Sequence, residues 1–192
     1  MNSADQGEAD KVLTVFTKEF GMLRLFARGT RRSGSKLNKF LNIFSHARFG
    51  FVSGRDSWHL IDAENFEYFN EIYSEEKIKI LGNAANFIER FHKGEAPDKV
   101  IYSLILSYIK FLEMASDDSL EDLERVFKAK VLLVLGYLND EELITGAGPE
   151  NRDKLAEILH DTAFNKLAYP FSADLRNYLD RHIKEGSAAS HL

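Results

Sequence analysis

Over the first third of the chain, apolar and polar positions alternate with a period of two. Residues 11–17 (KVLTVFT) and 22–28 (MLRLFAR) are rich in β-branched and aromatic side chains and alternate cleanly, which is the pattern of half-buried strands. Glu19, Phe20 and Gly21 between them predict a short hairpin turn. Residues 40–52 predict a long, bent strand, Ser53 to Asp56 a turn, and Ser57 to about Ala63 a further strand. Several short strands separated by glycine turns predict a small barrel or sandwich.

After about Tyr73 the period lengthens to that of a helix. Ser74 is placed as an N-cap, and Glu75 and Glu76 suit the positive end of a helix dipole. Ile78, Leu81, Ala85, Ile88 and Phe91 follow helical spacing, and Gly94 stops the run. Pro97 opens a second helix, apolar nearly all round over 100–112 and therefore expected to be the buried central one. Ser119 and Asp122 resemble a capping box for a third helix reaching Leu138. Two shorter helices follow, one carrying Leu155, Ile158, Leu159 and Ala163, the other Leu175, Tyr178, Leu179 and Ile183 behind a Ser172 cap. Residues 186–192 are expected to fray.

Composition removes several classes. With 44% hydrophobic and 29% charged residues the chain is ordinary globular protein. The absence of cysteine excludes a disulfide framework and cysteine-ligated zinc. No apolar run is long enough for a membrane span. Met1 to Glu8 has neither the basic nor the apolar region of a secretory signal, and the absence of cysteine fits a reducing cytoplasm.

Charge changes the picture more. The net charge is −5, yet residues 1–60 hold ten Lys/Arg against five acids, leaving the remainder at −10. From Phe20 to Arg55 there are eight basic residues and no acid. A positive field confined to one region attracts polyanions.

Catalytic or metal-binding chemistry is not encoded in any recognisable spacing. His46, His59, His92, His160, His182 and His191 include no pair at metal-ligand spacing on one helix face. There is no Gly-x-Ser-x-Gly elbow, and Arg32 to Lys36 (RSGSK) lacks the second half of a phosphate loop. The acidic runs Asp117–Asp118 and Asp140–Glu142 suit caps and solvated turns better than metal ligands. No enzyme, metal or cofactor is expected.

The more informative pattern is basic residues interleaved with aromatics. In 22–28 one strand face carries Met22, Arg24, Phe26 and Arg28, the other Leu23, Leu25 and Ala27. In 40–48 one face carries Phe40, Asn42, Phe44, His46 and Arg48, the other Leu41, Ile43 and Ala47. Guanidinium groups neutralise phosphates and flat rings stack on unpaired bases, the combination with which OB folds hold single strands. The competing reading packs Phe26, Phe40 and Phe44 against the helical part. Arg31, Arg32 and Lys36 lie on a polar loop that could wrap a backbone without reading bases.

Residues 7–32 (GEADKVLTVFTKEFGMLRLFARGTRR) resemble the N-terminal OB domain of the RecO family of bacterial recombination mediators, in which a GExD segment leads through a strand to a second basic motif. Leu41 to Glu64, and the helix FKAKVLLVLGY at 127–137, resemble further family stretches. The resemblance implies a non-enzymatic DNA repair protein that binds single- and double-stranded DNA and anneals complementary strands. It also implies engagement of RecR and of the acidic C-terminal tail of single-stranded DNA-binding protein, in support of RecA loading, and a cytoplasmic, nucleoid-associated location. Three departures stand out. Many members carry a four-cysteine zinc module where Leu138 to Pro149 stand here; Lys128 and Lys130 replace the family's acid and arginine; and the family's first strand belongs before Gly7, where only short, polar residues remain.

The resulting expectation is an α+β chain. An OB-like β-barrel over 1–72, lacking its first strand, is followed by an all-helical domain over 73–192. DNA contacts are assigned to Arg24, Phe26, Arg28, Arg31, Arg32, Lys36, Lys39, Phe44, His46 and Arg48, and an acidic partner peptide to Arg125, Lys128 and Lys130. An RNA-binding OB protein would present the same residue types, and an adaptor without DNA binding is the alternative from another class.

Overall fold

The computed structural model describes residues 2–6, 9–30, 35, 37, 41, 44, 46–55, 57–67, 74–92, 94–167 and 171–189. The chain forms two compact units. The first comprises Met1–Ser74 and His92–Asp98, the second Glu75–Phe91 and Lys99–Leu192.

The first unit is a five-stranded sheet of β1 (Asn2–Gln6), β2 (Asp10–Thr17), β3 (Gly21–Ala27), β4 (His46–Ser53) and β5 (Trp58–Glu67), ordered β1-β2-β3-β5-β4. Every neighbouring pair is antiparallel except β3 with β5. The fold is OB-like, and β1 and β4 stand as its two edges rather than closing a barrel. The expected missing first strand is corrected: Asn2–Gln6 pairs along β2, from Asn2 opposite Thr14 to Gln6 opposite Asp10. A polar edge strand needs only backbone donors and acceptors to pair, and polar side chains suit an edge facing water.

A second correction concerns residues 40–52. The strand begins only at His46, and Phe44 sits in a turn with φ of 64°. A left-handed residue breaks an extended run, and the register then shifts again between His46 and Ala47 and between Gly50 and Phe51. Phe40 and Asn42 lie outside the described residues.

Alternation gives the sheet one buried face. Leu13, Val15, Leu23, Leu25, Ala27, Leu41 and Leu60 form its core, with Leu37, Phe49, Phe51 and Trp58 packed against them. Each such buried aliphatic side chain stabilises the unit by roughly 1.5–3 kcal/mol. The segment His92–Asp98 completes this unit. Met22 N donates to the Gly94 carbonyl at 3.2 Å, Trp58 Nε1 to Glu95 Oε1 at 2.6 Å, and the His92 ring meets Phe16 edge-on at 4.8 Å. Gly21 has φ of 71°, and a Cβ there would sit 2.1 Å from the Ala96 carbonyl oxygen, so only glycine fits.

The second unit contains α1 (Glu75–Phe91), α2 (Lys99–Met114), α3 (Leu120–Val134), α4 (Asp140–Gly146), α5 (Pro149–His160) and α6 (Ala173–Ala189), with a 3-10 turn at Asp117–Ser119. The central helix is α3, not α2. It packs against α1, α2, α5 and α6, and buries Leu123, Val126, Phe127, Val131 and Leu132, whereas Val100 of α2 is exposed. The buried face of α1 is also rotated from the expected one: Ile78 is 48% exposed, while Ile80, Leu81, Ala84 and Ile88 are buried. Lys77 is buried there with its ammonium donating to the Glu113 carbonyl at 3.0 Å.

Ser119 does not cap α3; its hydroxyl donates back to the Ser116 carbonyl at 2.6 Å. Asp122 is fully buried and serves another purpose. One carboxylate oxygen accepts from Arg176 Nε at 2.8 Å and from Arg125 Nη1 at 3.2 Å. The other accepts from Phe171 N at 3.0 Å and Arg176 Nη2 at 2.9 Å, tying α3 to α6. Burial alone would raise the Asp122 carboxyl. The Arg176 hydrogen bonds, the Phe171 N–H and the two guanidinium charges outweigh it and hold the group below the usual carboxylate range.

Where the resemblance would place a cysteine module stands α4, capped by Asn139, whose side chain accepts from Glu142 N at 3.0 Å. The Ser172 cap of α6 is as expected, accepting from Leu175 N at 3.2 Å. That helix continues through residues expected to fray, because Gly186 lets it approach Leu138 closely; a Cβ there would meet the leucine side chain at 3.1 Å.

Candidate nucleic-acid interface

The sheet face opposite the core of the first unit carries the basic and aromatic side chains of β3. Leu23, Leu25 and Ala27 are buried, so Met22, Arg24 and Phe26 point the other way. Across β2 they stand opposite Phe16, Thr14 and Val12. Arg24 is exposed and Phe26 half-buried. Arg28 is exposed in the turn after β3, just past the strand end. That turn is anchored: Gly29 N donates to Asp10 Oδ1 at 2.8 Å and the Thr30 hydroxyl to the Ala27 carbonyl at 3.2 Å. It therefore fixes where the basic loop begins. Arg31, Arg32, Lys36 and Lys39 lie outside the described residues.

The second expected row does not form as a row. Phe44 is off the strand, and the shift between His46 and Ala47 breaks the alternation that would align His46 with Arg48. Arg48 is exposed opposite Glu64, with 3.8 Å between their charged atoms.

Sequence reasoning passed over three residues on this face. His59 of β5 stands opposite Phe26, with ring centroids 6.0 Å apart. Ala63 is buried, so Asp62 and Glu64 share the outward face. The strand at 57–63 was legible, but its place beside β3 is a parallel, non-local pairing that no local pattern reveals.

The three cations offered for an acidic peptide are engaged within their own unit. Arg125 pairs with Glu121 at 3.4 Å, Asp122 at 3.2 Å and Asp180 at 2.9 Å. Lys128 pairs with Glu124. Lys130 is 4% exposed, donates to the Asp161 carbonyl, and lies 4.4 Å from the centre of the Phe164 ring. Burial pushes its ammonium down from 10.5 to about 8, only partly offset by the Asp161 charge. An incoming acidic peptide would have to displace these partners from Arg125 and Lys128.

Among the described residues, no helix is long and apolar enough to cross a membrane. The family described as "Recombination protein O N terminal" matches residues 1–69. A DNA repair protein RecO of Pelotomaculum thermopropionicum is 29% identical over 138 residues, which cover 71% of this chain and 53% of the relative. A DNA repair protein RecO of Halalkalibacterium halodurans is 24% identical over 137 residues, again 71% and 53%. A third, from Thermodesulfovibrio yellowstonii, is 26% identical over 136 residues, 70% and 54%. The match thus spans about half the length of these relatives.

Proposed function

We propose that this chain, whose residues 1–69 match the RecO N-terminal family and which is similar to RecO proteins over about 70% of its length, is a non-catalytic DNA-binding mediator of recombinational repair of the RecO kind. On this reading it holds single- and double-stranded DNA on the first unit and brings complementary strands together for annealing. It acts with RecR and the acidic tail of single-stranded DNA-binding protein, upstream of RecA, in the cytoplasm. The observation that carries the reading is the outward row of β3, where exposed Arg24 flanks Phe26 on an open OB-like sheet and Arg28 begins the basic loop. Arginines neutralise the backbone and a ring stacks on a base, so binding is largely independent of sequence. Strand annealing needs this kind of hold, because base edges left uncontacted can pair with a complement.

The DNA contacts on this reading are Arg24, Phe26 and Arg28, followed by Arg31, Arg32, Lys36 and Lys39 along the loop. Phe44, His46 and Arg48, the other candidates, belong to the same unit. Titration of single- and double-stranded oligonucleotides over a range of salt tests the reading, with matched RNA as competitor. Neutralising about four phosphates gives a log–log slope of about −3 for single strands. Affinity independent of salt, or a consistent preference for RNA, would refute it.

A further inference from the structure

We infer that Phe26 and His59 together form a two-ring platform that selects unpaired bases, with His59 the residue that gives the first unit its preference for single strands. The inference rests on the DNA-binding reading above and deepens it.

The two residues meet across the parallel β3–β5 pair, with ring centroids 6.0 Å apart and planes at 50°. Both are half-buried on the face opposite the core, with Val52, 47% exposed, next to His59 in the same row. The His59 ring is held in place from one side. Its Nε2 shares a hydrogen bond with the Ser57 hydroxyl at 3.2 Å, and a Cβ on Gly54 would come within 2.8 Å of Nε2 and Cδ2. Its Nδ1 is buried with no hydrogen-bond partner among the described residues. Only one of the two ring nitrogens therefore has a hydrogen bond among the described residues, through Ser57, and hydrogen bonding accounts for only part of what positions the ring. The contact with the Phe26 ring supplies another part.

Charge sets the lane in which this platform works. Arg24 is exposed two residues before Phe26 and Arg28 two residues after it. Farther along β5 the same face turns acidic at Asp62 and Glu64, with Arg48 opposite Glu64 and Gly50 opposite Asp62. A polyanion is drawn to the β3 side and turned away from the β4–β5 end. A strand held there brings its bases over the two rings. In a duplex the base faces are already covered by their neighbours, so a platform of rings gains nothing from them, whereas unpaired bases stack freely.

The test uses the full chain and three probes of equal length: an oligo-dT single strand, an abasic single strand and a duplex. The wild type is expected to bind oligo-dT about ten-fold more tightly than the abasic strand, because only the former has bases to stack. His59→Ala should lower oligo-dT affinity about ten-fold and leave the abasic strand and the duplex nearly unchanged. His59→Phe should keep the preference, since a flat ring remains. Should His59→Ala fail to fold, Phe26→Leu against His59→Phe decides, with only the leucine variant losing the preference. Equal losses on all three probes, or no loss on any, would overturn the platform while leaving DNA binding intact. Failure of the wild type to bind any probe at low salt would overturn the DNA-binding reading and the platform with it.

Discussion

Lys130 should impose an unusual alkaline dependence on stability, and Lys130→Met should abolish it. The ammonium is buried between the Asp161 carbonyl and the Phe164 ring, and its pKa falls from 10.5 to about 8 on folding. A folded pKa below the unfolded one means the unfolded chain binds more protons between those two values. Stability therefore rises with pH through that window, and the cost of holding the charge inside is borne in full below about pH 8. That cost is about 3 kcal/mol at neutral pH. Because the folded group is half-neutralised near pH 8, a gain of about 1 kcal/mol is expected between about pH 7 and 9. Methionine keeps the unbranched stem and removes the charge. It also leaves the Asp161 carbonyl without this donor, at a cost of about 1–3 kcal/mol. The two effects nearly cancel at pH 7, so the slope, not the absolute stability, is the readout. Urea melts of both proteins at three pH values across the window measure it through the midpoint at constant m. Parallel pH profiles for wild type and variant would refute the reasoning.

Three further outcomes are expected. Asp122→Asn removes the charge that Arg176 and Arg125 share and should destabilise the second unit by about 3–5 kcal/mol in denaturant melts. In the wild type this carboxyl is held below its usual range, so its contribution is present at neutral pH and should fade as pH falls through the acid range, which melts at descending pH would follow. Gly21→Ala forces a side chain at φ of 71° against the Ala96 carbonyl and should cost at least about 1–3 kcal/mol. Trp58, the chain's single tryptophan, donates to Glu95 of the same segment, so its fluorescence should report the release. The double variant Arg31→Ala, Arg32→Ala should weaken DNA binding and shift stability by under about 0.5 kcal/mol; a large drop in melting temperature with affinity retained would mark the pair as structural.

Features that depend on local pattern were legible in the residues. Alternation placed β2 and β3 almost to the residue and assigned Leu23 and Leu25 to the core and Arg24 and Phe26 to the opposite face, because side-chain period follows directly from strand geometry. Ser172 was legible as a cap because capping is settled within one turn of helix. Charge clustering marked the basic region for the same reason, being a property of the chain rather than of its folding. Other features came from contacts between distant segments. Asn2–Gln6 has no strand signal of its own and becomes one because β2 offers a backbone edge. The left-handed turn at Phe44 and the register shifts in β4 undid a row that alternation alone predicted. α3 rather than α2 became the central helix because burial is fixed by how many neighbours surround a helix, not by how apolar it is. Asp122 looked like a cap and became a buried anchor through Arg176, 54 residues away. His59 met Phe26 only because β5 lies parallel to β3, a pairing between segments that share no local signal.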